Sequence, residues 1–106
     1  MTPLFSSLCV IGPGLIGSSI LRRARETGTI AGTLIAADSK PHVRERVQEL
    51  GIADVTTSDL AVAAQADCVM ICVPVGAVEE VARQVLPYMK PGSILTDVAS
   101  VRGQLG

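Results

Sequence analysis

The run Gly12-Pro13-Gly14-Leu15-Ile16-Gly17 places three glycines at the spacing G-x-G-x-x-G. It follows an apolar run at residues 8–11 and opens a segment of helical periodicity. In that context the glycines describe a cradle for a diphosphate. Gly12 permits a tight turn, Gly14 lets the backbone approach a pyrophosphate, and Gly17 lets the helix pack closely on a sheet. The amides of Leu15 and Ile16, at the helix N-terminus, would hydrogen-bond phosphate oxygens with the helix dipole behind them. An acidic residue, Asp38, stands about 20 positions further on, which completes the dinucleotide fingerprint.

Asp38 closes a second apolar run, where a carboxylate accepts hydrogen bonds from both hydroxyls of an adenosine ribose and repels a 2′-phosphate. That favours NAD. Ser39 and Lys40 pull the other way, because a hydroxyl and an ammonium could hold the 2′-phosphate of NADP. Asp38 could also simply cap the helix that follows it. Val73, Pro74 and Val75 end a fourth apolar run and would form an apolar shelf between pyrophosphate and nicotinamide; a strand-ending proline is the plain alternative. The fifth run ends in Thr96-Asp97-Val98-Ala99-Ser100. In open α/β sheets ligands sit beyond the carboxyl ends of strands, so Asp97 and Ser100 are candidates to face cofactor and substrate, with a helix cap as the competing reading. His42 is the only histidine and falls on the helix after Asp38, far from any hydride.

The elements that must position these groups alternate along the chain. Strands are expected at residues 8–11, 33–38, 55–56, 68–73 and 93–98. Helices are expected at 14–27, from Pro41 to Leu50, briefly after Ser58, and from Pro74 to Val85, where Pro87 closes the last. The strand runs are continuously apolar rather than alternating, the mark of strands covered on both faces. Such alternation predicts parallel strands joined by right-handed crossovers. The expected fold is therefore α/β, a doubly wound parallel sheet of five strands in the Rossmann order 3-2-1-4-5, in a single domain spanning residues 1–106.

Composition narrows the function classes. The 106 residues are 48% hydrophobic, and 9 Lys and Arg against 10 Asp and Glu give a net charge of −1, which argues against nucleic-acid or membrane-surface binding. Aromatics make up 2%, too few for base-stacking platforms. No apolar stretch approaches the roughly 20 residues of a membrane span, and no signal segment is visible, so a cytoplasmic protein is expected. The 3 cysteines form no C-x-x-C pair and are read as small buried apolar residues, with no metal site.

With these segments in view, VIGPGLIGSSI, AAD, DCVMICVPVGAVEEV and PGSILTDVASVRG resemble the prephenate and arogenate dehydrogenases of tyrosine biosynthesis, in order and over essentially the whole chain. Ala99 and Arg102 depart mildly, standing where glycine and lysine are frequent. The resemblance implies an N-terminal Rossmann domain followed by a helical domain that dimerises and completes the active site. It implies oxidation of the ring hydroxyl of prephenate or arogenate by hydride transfer to NAD(P)+, with loss of the ring carboxylate as CO2. Ser100 matches the serine that orients the substrate hydroxyl and the catalytic histidine, and that histidine falls in an HP motif beyond Gly106. The chain thus looks like the cofactor half of an enzyme. Other NAD(P)-dependent enzymes with a related N-terminal domain, such as β-hydroxyacid dehydrogenases or imine reductases, and a non-catalytic NAD-binding sensor remain as alternatives.

Overall fold

The computed structural model describes residues 5–28, 31–63 and 65–97. Five parallel strands form one sheet: β1 (Phe5–Ile11), β2 (Ala31–Ala37), β3 (Val55–Thr57), β4 (Cys68–Ile71) and β5 (Ile94–Asp97). They lie in the order β3-β2-β1-β4-β5, the order expected from the sequence. The connections are α1 (Leu15–Thr27), α2 (Pro41–Leu50), α3 (Leu60–Ala63) and α4 (Val75–Val85), which runs on into a 3-10 turn at Leu86–Tyr88.

Side chains alternate across the sheet, and each face has its own core. Leu8, Val10, Leu34, Ala36 and Cys68 pack against Leu21 and Ala24 of α1 and Val47 of α2. Cys9, Ile11, Ala37, Val69 and Ile71 face the other way and pack with Val85 of α4. A strand that buries both of its faces has no solvent side to make polar, which is why these strands read as unbroken apolar runs.

The element ends shift in places. β1 starts at Phe5 rather than residue 8, because polar Ser7 pairs with Thr33 and belongs to the ladder. Its main-chain N–H donates to Asp67 Oδ2 at 3.2 Å, and its hydroxyl accepts from the Asp67 N–H at 3.1 Å. β2 runs from Ala31 to Ala37 and stops one residue short of Asp38. β4 ends at Ile71, so Cys72 and Val73 lie past the strand. Cys72 is half-buried rather than buried, while Cys9 and Cys68 are buried as expected, and all three thiols are free.

Two carboxylates hold the sheet's lower margin. Asp54 Oδ2 accepts from the Leu34 N–H at 2.8 Å, and Asp54 Oδ1 meets Arg25 Nη1 at 3.1 Å, joining the end of α1 to β2 and to the loop before β3. Asp67 pairs with Lys90. The Leu34 hydrogen bond, then Arg25, holds the Asp54 carboxyl below the usual carboxylate range; the Lys90 contact does the same to Asp67. A carboxylate whose folded-state pKa is depressed adds stability that is complete above its unfolded value and is lost as pH falls through the folded one. The melting temperature should therefore hold steady above about pH 4 and decline below it. Thermal melts of the wild type and Asp54→Asn across that range should show a shallower acid decline in the variant. Parallel curves would remove Asp54 from this role.

Candidate functional site

The carboxyl ends of β1, β2 and β4 meet at the turn that follows Ile11. Here Gly12 N–H donates to Ala37 O at 2.8 Å, and Cys72 N–H donates to Ile11 O at 2.8 Å, so the turn is fastened to both neighbouring strands. Gly14 N–H folds back onto Gly12 O at 2.7 Å. Gly12 has φ +73°, in the left-handed region that an L side chain disfavours, and a Cβ on it would stand 2.7 Å from Val73 Cγ1. Gly17, buried under the turn, would bring a Cβ within 3.0 Å of Val10 Cγ1 and 3.4 Å of Cys72 Cβ. Gly14 is different: it is exposed, and nothing lies within 4 Å of where its Cβ would be. The three glycines thus differ in place: the first sits in the turn, the last in close packing, and the middle one beside open space at the start of α1.

Leu15, Ile16 and Gly17 are the first residues of α1. Amides in the first turn of a helix have no carbonyl partner within the helix and carry the positive end of its dipole. Ser18 secures this end, its N–H donating to Gly14 O at 2.9 Å and its hydroxyl to Pro13 O at 3.1 Å. Pro13 is buried and lines, with Gly14, a separate hollow between α1 and α2 that also carries His42. His42 is exposed on α2.

A cavity of about 860 Å³ opens beside the turn, and Gly12, Gly14, Asp38, Ser39 and Lys40 line it together. That volume falls in the range of small-molecule and cofactor sites. Asp38 is half-buried and held at three points. Its N–H donates to Thr57 O at 3.0 Å, its carbonyl accepts from Arg44 Nη1 at 2.8 Å, and its Oδ1 accepts from the Lys40 N–H at 2.8 Å. The last contact is an Asx-turn that sets up the start of α2. The turn reading of Asp38 is thus realised through Oδ1, while its side chain also lines the cavity. Val73 and Pro74 form part of the cavity wall. Val75 opens α4.

Asp97 ends β5 in register with Ile71, half-buried and off the cavity wall; Ser100 lies outside the described residues. The sequence reading did not single out Val43, Ser58, Leu60, Val81 and Gln84 as site residues, and all five line the cavity. Ser58 follows the short β3, and that position beyond a strand end is the one signal that could have flagged it. Cys72 also lines the cavity; burial pushes its thiol up to about 11 and that of Cys9 to about 12, so neither is a nucleophile near neutral pH. Among the described residues no group of His, Cys, Asp and Glu could hold a metal ion.

Residues 20–106 match the family described as "Prephenate dehydrogenase, nucleotide-binding domain". Cyclohexadienyl dehydrogenase of Zymomonas mobilis is 37% identical over 100 residues, covering 93% of this chain and 34% of that protein. A match that spans so much of the chain takes in the glycine turn that the family range omits. The crystal structure of Synechocystis arogenate dehydrogenase superposes with a TM-score of 0.81 at 29% identity, over 89% of this chain and 33% of that one. Prephenate dehydrogenase from A. aeolicus, solved with hydroxyphenyl propionate and NAD+, gives 0.79 at 24%, over 87% and 32%. The chain spans about a third of the length of these relatives. A five-stranded doubly wound sheet, a glycine turn at its switch point and this family match agree: the chain belongs to the prephenate dehydrogenase family, as its nucleotide-binding domain.

Proposed function

We propose that the chain binds NAD+ and is the cofactor-holding part of an enzyme that oxidises prephenate or arogenate by hydride transfer, with decarboxylation, in tyrosine biosynthesis. The observation that carries this is the meeting of the glycine turn and Asp38 on one cavity. The names of the relatives support the substrate class, and the NAD+ bound in the A. aeolicus protein supports the cofactor.

When bound, the nicotinamide ring supplies the hydride acceptor. Everything else assigned to this chain is binding and alignment. The amides of Leu15 and Ile16 bind the pyrophosphate, with Gly14 leaving room for it. Asp38 accepts from the ribose hydroxyls and disfavours a 2′-phosphate, while Ser39 and Lys40 leave NADP usable. Val73, Pro74 and Val75 give the apolar shelf, and Asp97 stands towards the nicotinamide end. Ser100 orients the substrate hydroxyl and the histidine that accepts its proton. A helical domain joined after residues 1–106 would bring that histidine, dimerise and close the pocket. The same reading makes the enzyme a cytoplasmic homodimer; among the described residues no helix is long and apolar enough to cross a membrane.

Calorimetric titration of the chain with NAD+, together with an absorbance assay for NADH in the presence of prephenate or arogenate, tests the proposal. Saturable NAD+ binding without turnover is expected, because the base is assigned to the helical domain. Absence of NAD+ binding would overturn the cofactor assignment, and steady turnover would overturn the division of labour.

A further inference from the structure

We propose that Gln84 reads the base of the bound dinucleotide and selects adenine through its exocyclic amino group. This rests on the nucleotide reading above and extends it to the part of the cavity that the glycine motif does not explain.

With the pyrophosphate at the turn and a ribose at Asp38, the base must continue along the same cavity. Apart from the strand ends and from Val73 and Pro74 of the shelf, the lining is Val43, Ser58, Leu60, Val81 and Gln84. Val43, Leu60 and Val81 are half-buried aliphatic side chains from α2, α3 and α4, suited to the faces of a flat ring. Gln84 contributes the carboxamide on this wall. Its Nε2 donates to Glu80 Oε1 at 3.2 Å, one turn earlier on α4, and Glu80 Oε2 in turn takes Arg83 Nη1 at 3.5 Å.

The chemistry of that contact fixes which way the amide faces. A carboxylate only accepts, so the amide must turn its nitrogen to Glu80, which leaves Gln84 Oε1 to accept from a base bound in the cavity. Adenine presents a donor there, its N6 amino group. Hypoxanthine presents a carbonyl oxygen at the same position, and two facing acceptors leave both unsatisfied. The Ser58 hydroxyl donates or accepts, so it tolerates either base. Discrimination therefore falls to Gln84, with Glu80 as its positioning residue.

The test titrates the chain with NAD+ and with nicotinamide hypoxanthine dinucleotide. Wild type should bind NAD+ about three- to tenfold more tightly. Gln84→Ala should bring the ratio to about one by weakening NAD+. Glu80→Ala frees the amide to turn its nitrogen to the base, so the ratio should fall by tighter binding of the hypoxanthine form. Both side chains are exposed, and unchanged melting temperatures would confirm that the variants fold. Equal binding by wild type, a ratio that survives Gln84→Ala, or one untouched by Glu80→Ala overturns the assignment while leaving NAD+ binding intact. Failure of wild type to bind either dinucleotide overturns the nucleotide reading along with it.

Discussion

Gly12→Ala should lower the stability of the chain by about 2–5 kcal/mol and abolish dinucleotide binding. The first contribution is conformational: at φ +73° an alanine meets the steric penalty that glycine escapes, about 1–2 kcal/mol. The second is overpacking, about 1–3 kcal/mol, since the new Cβ would stand 2.7 Å from Val73 Cγ1. Val73 is β-branched and stiff about χ1, so it cannot swing aside without leaving the cavity wall. Relief by moving the turn would break Gly12 N–H to Ala37 O or Cys72 N–H to Ile11 O, the two bonds that fasten it to the sheet. For a domain of this size the melting temperature should fall by at least about 8 °C. Gly14→Ala is the informative partner. Nothing lies within 4 Å of its Cβ, so its melting curve should match wild type while NAD+ binding weakens, the methyl group now filling the space offered to the phosphates. A Gly12→Ala protein melting within a few degrees of wild type would show that the turn relaxes freely and that the glycine is not required for the fold.

The different fates of these two glycines show what the sequence made legible. Glycine spacing between an apolar run and a helical segment identified the turn, because a strand, a tight reversal and a helix need glycine at fixed offsets, and that need is local. Strand order was legible for a related reason: five strands alternating with helices and buried on both faces have few right-handed arrangements. The start of β1 was not. The apolar run begins only at Leu8, and it is the position of Ser7 beside Thr33 and Asp67, residues distant in sequence, that brings it into the strand.

The same limit governs the site. Val43, Val81 and Leu60 carry apolar side chains at helical positions, and periodicity can only assign such residues to a buried face. That they converge from three helices on one cavity is a tertiary fact. Gln84 is a polar residue on an amphipathic helix, indistinguishable by type from its solvent-facing neighbours Glu79, Glu80 and Arg83. Asp38 lay between these cases. Its place at the end of β2 was readable, but the three contacts that hold it come from Thr57, Lys40 and Arg44. Only the Lys40 contact is close enough in sequence to be guessed.

Those contacts decide what Asp38→Ser will do. Serine can replace the Oδ1 contact to the Lys40 N–H with its own hydroxyl, a weaker form of the same turn, and the main-chain bonds to Thr57 and Arg44 do not depend on the side chain. The fold should therefore be nearly unaffected, and the change isolates the contact proposed between the carboxylate and the ribose. Losing a charge-assisted hydrogen bond should weaken NAD+ by about 1–2 kcal/mol. Removing the carboxylate also ends its repulsion of a 2′-phosphate, with Ser39 and Lys40 on the same wall to receive one, so NADP+ should gain about 1–2 kcal/mol. Together the NAD+/NADP+ affinity ratio should move about 30- to 1000-fold towards NADP+. Titrating both cofactors into wild type and variant measures it directly. The NADP+ gain should shrink as salt is raised, because it rests on charges near the surface, while the NAD+ loss should change little. A wild type that already prefers NADP+, or a ratio unmoved by the substitution, would mean that Lys40 and Ser39 outweigh the carboxylate and that Asp38 serves only the turn into α2.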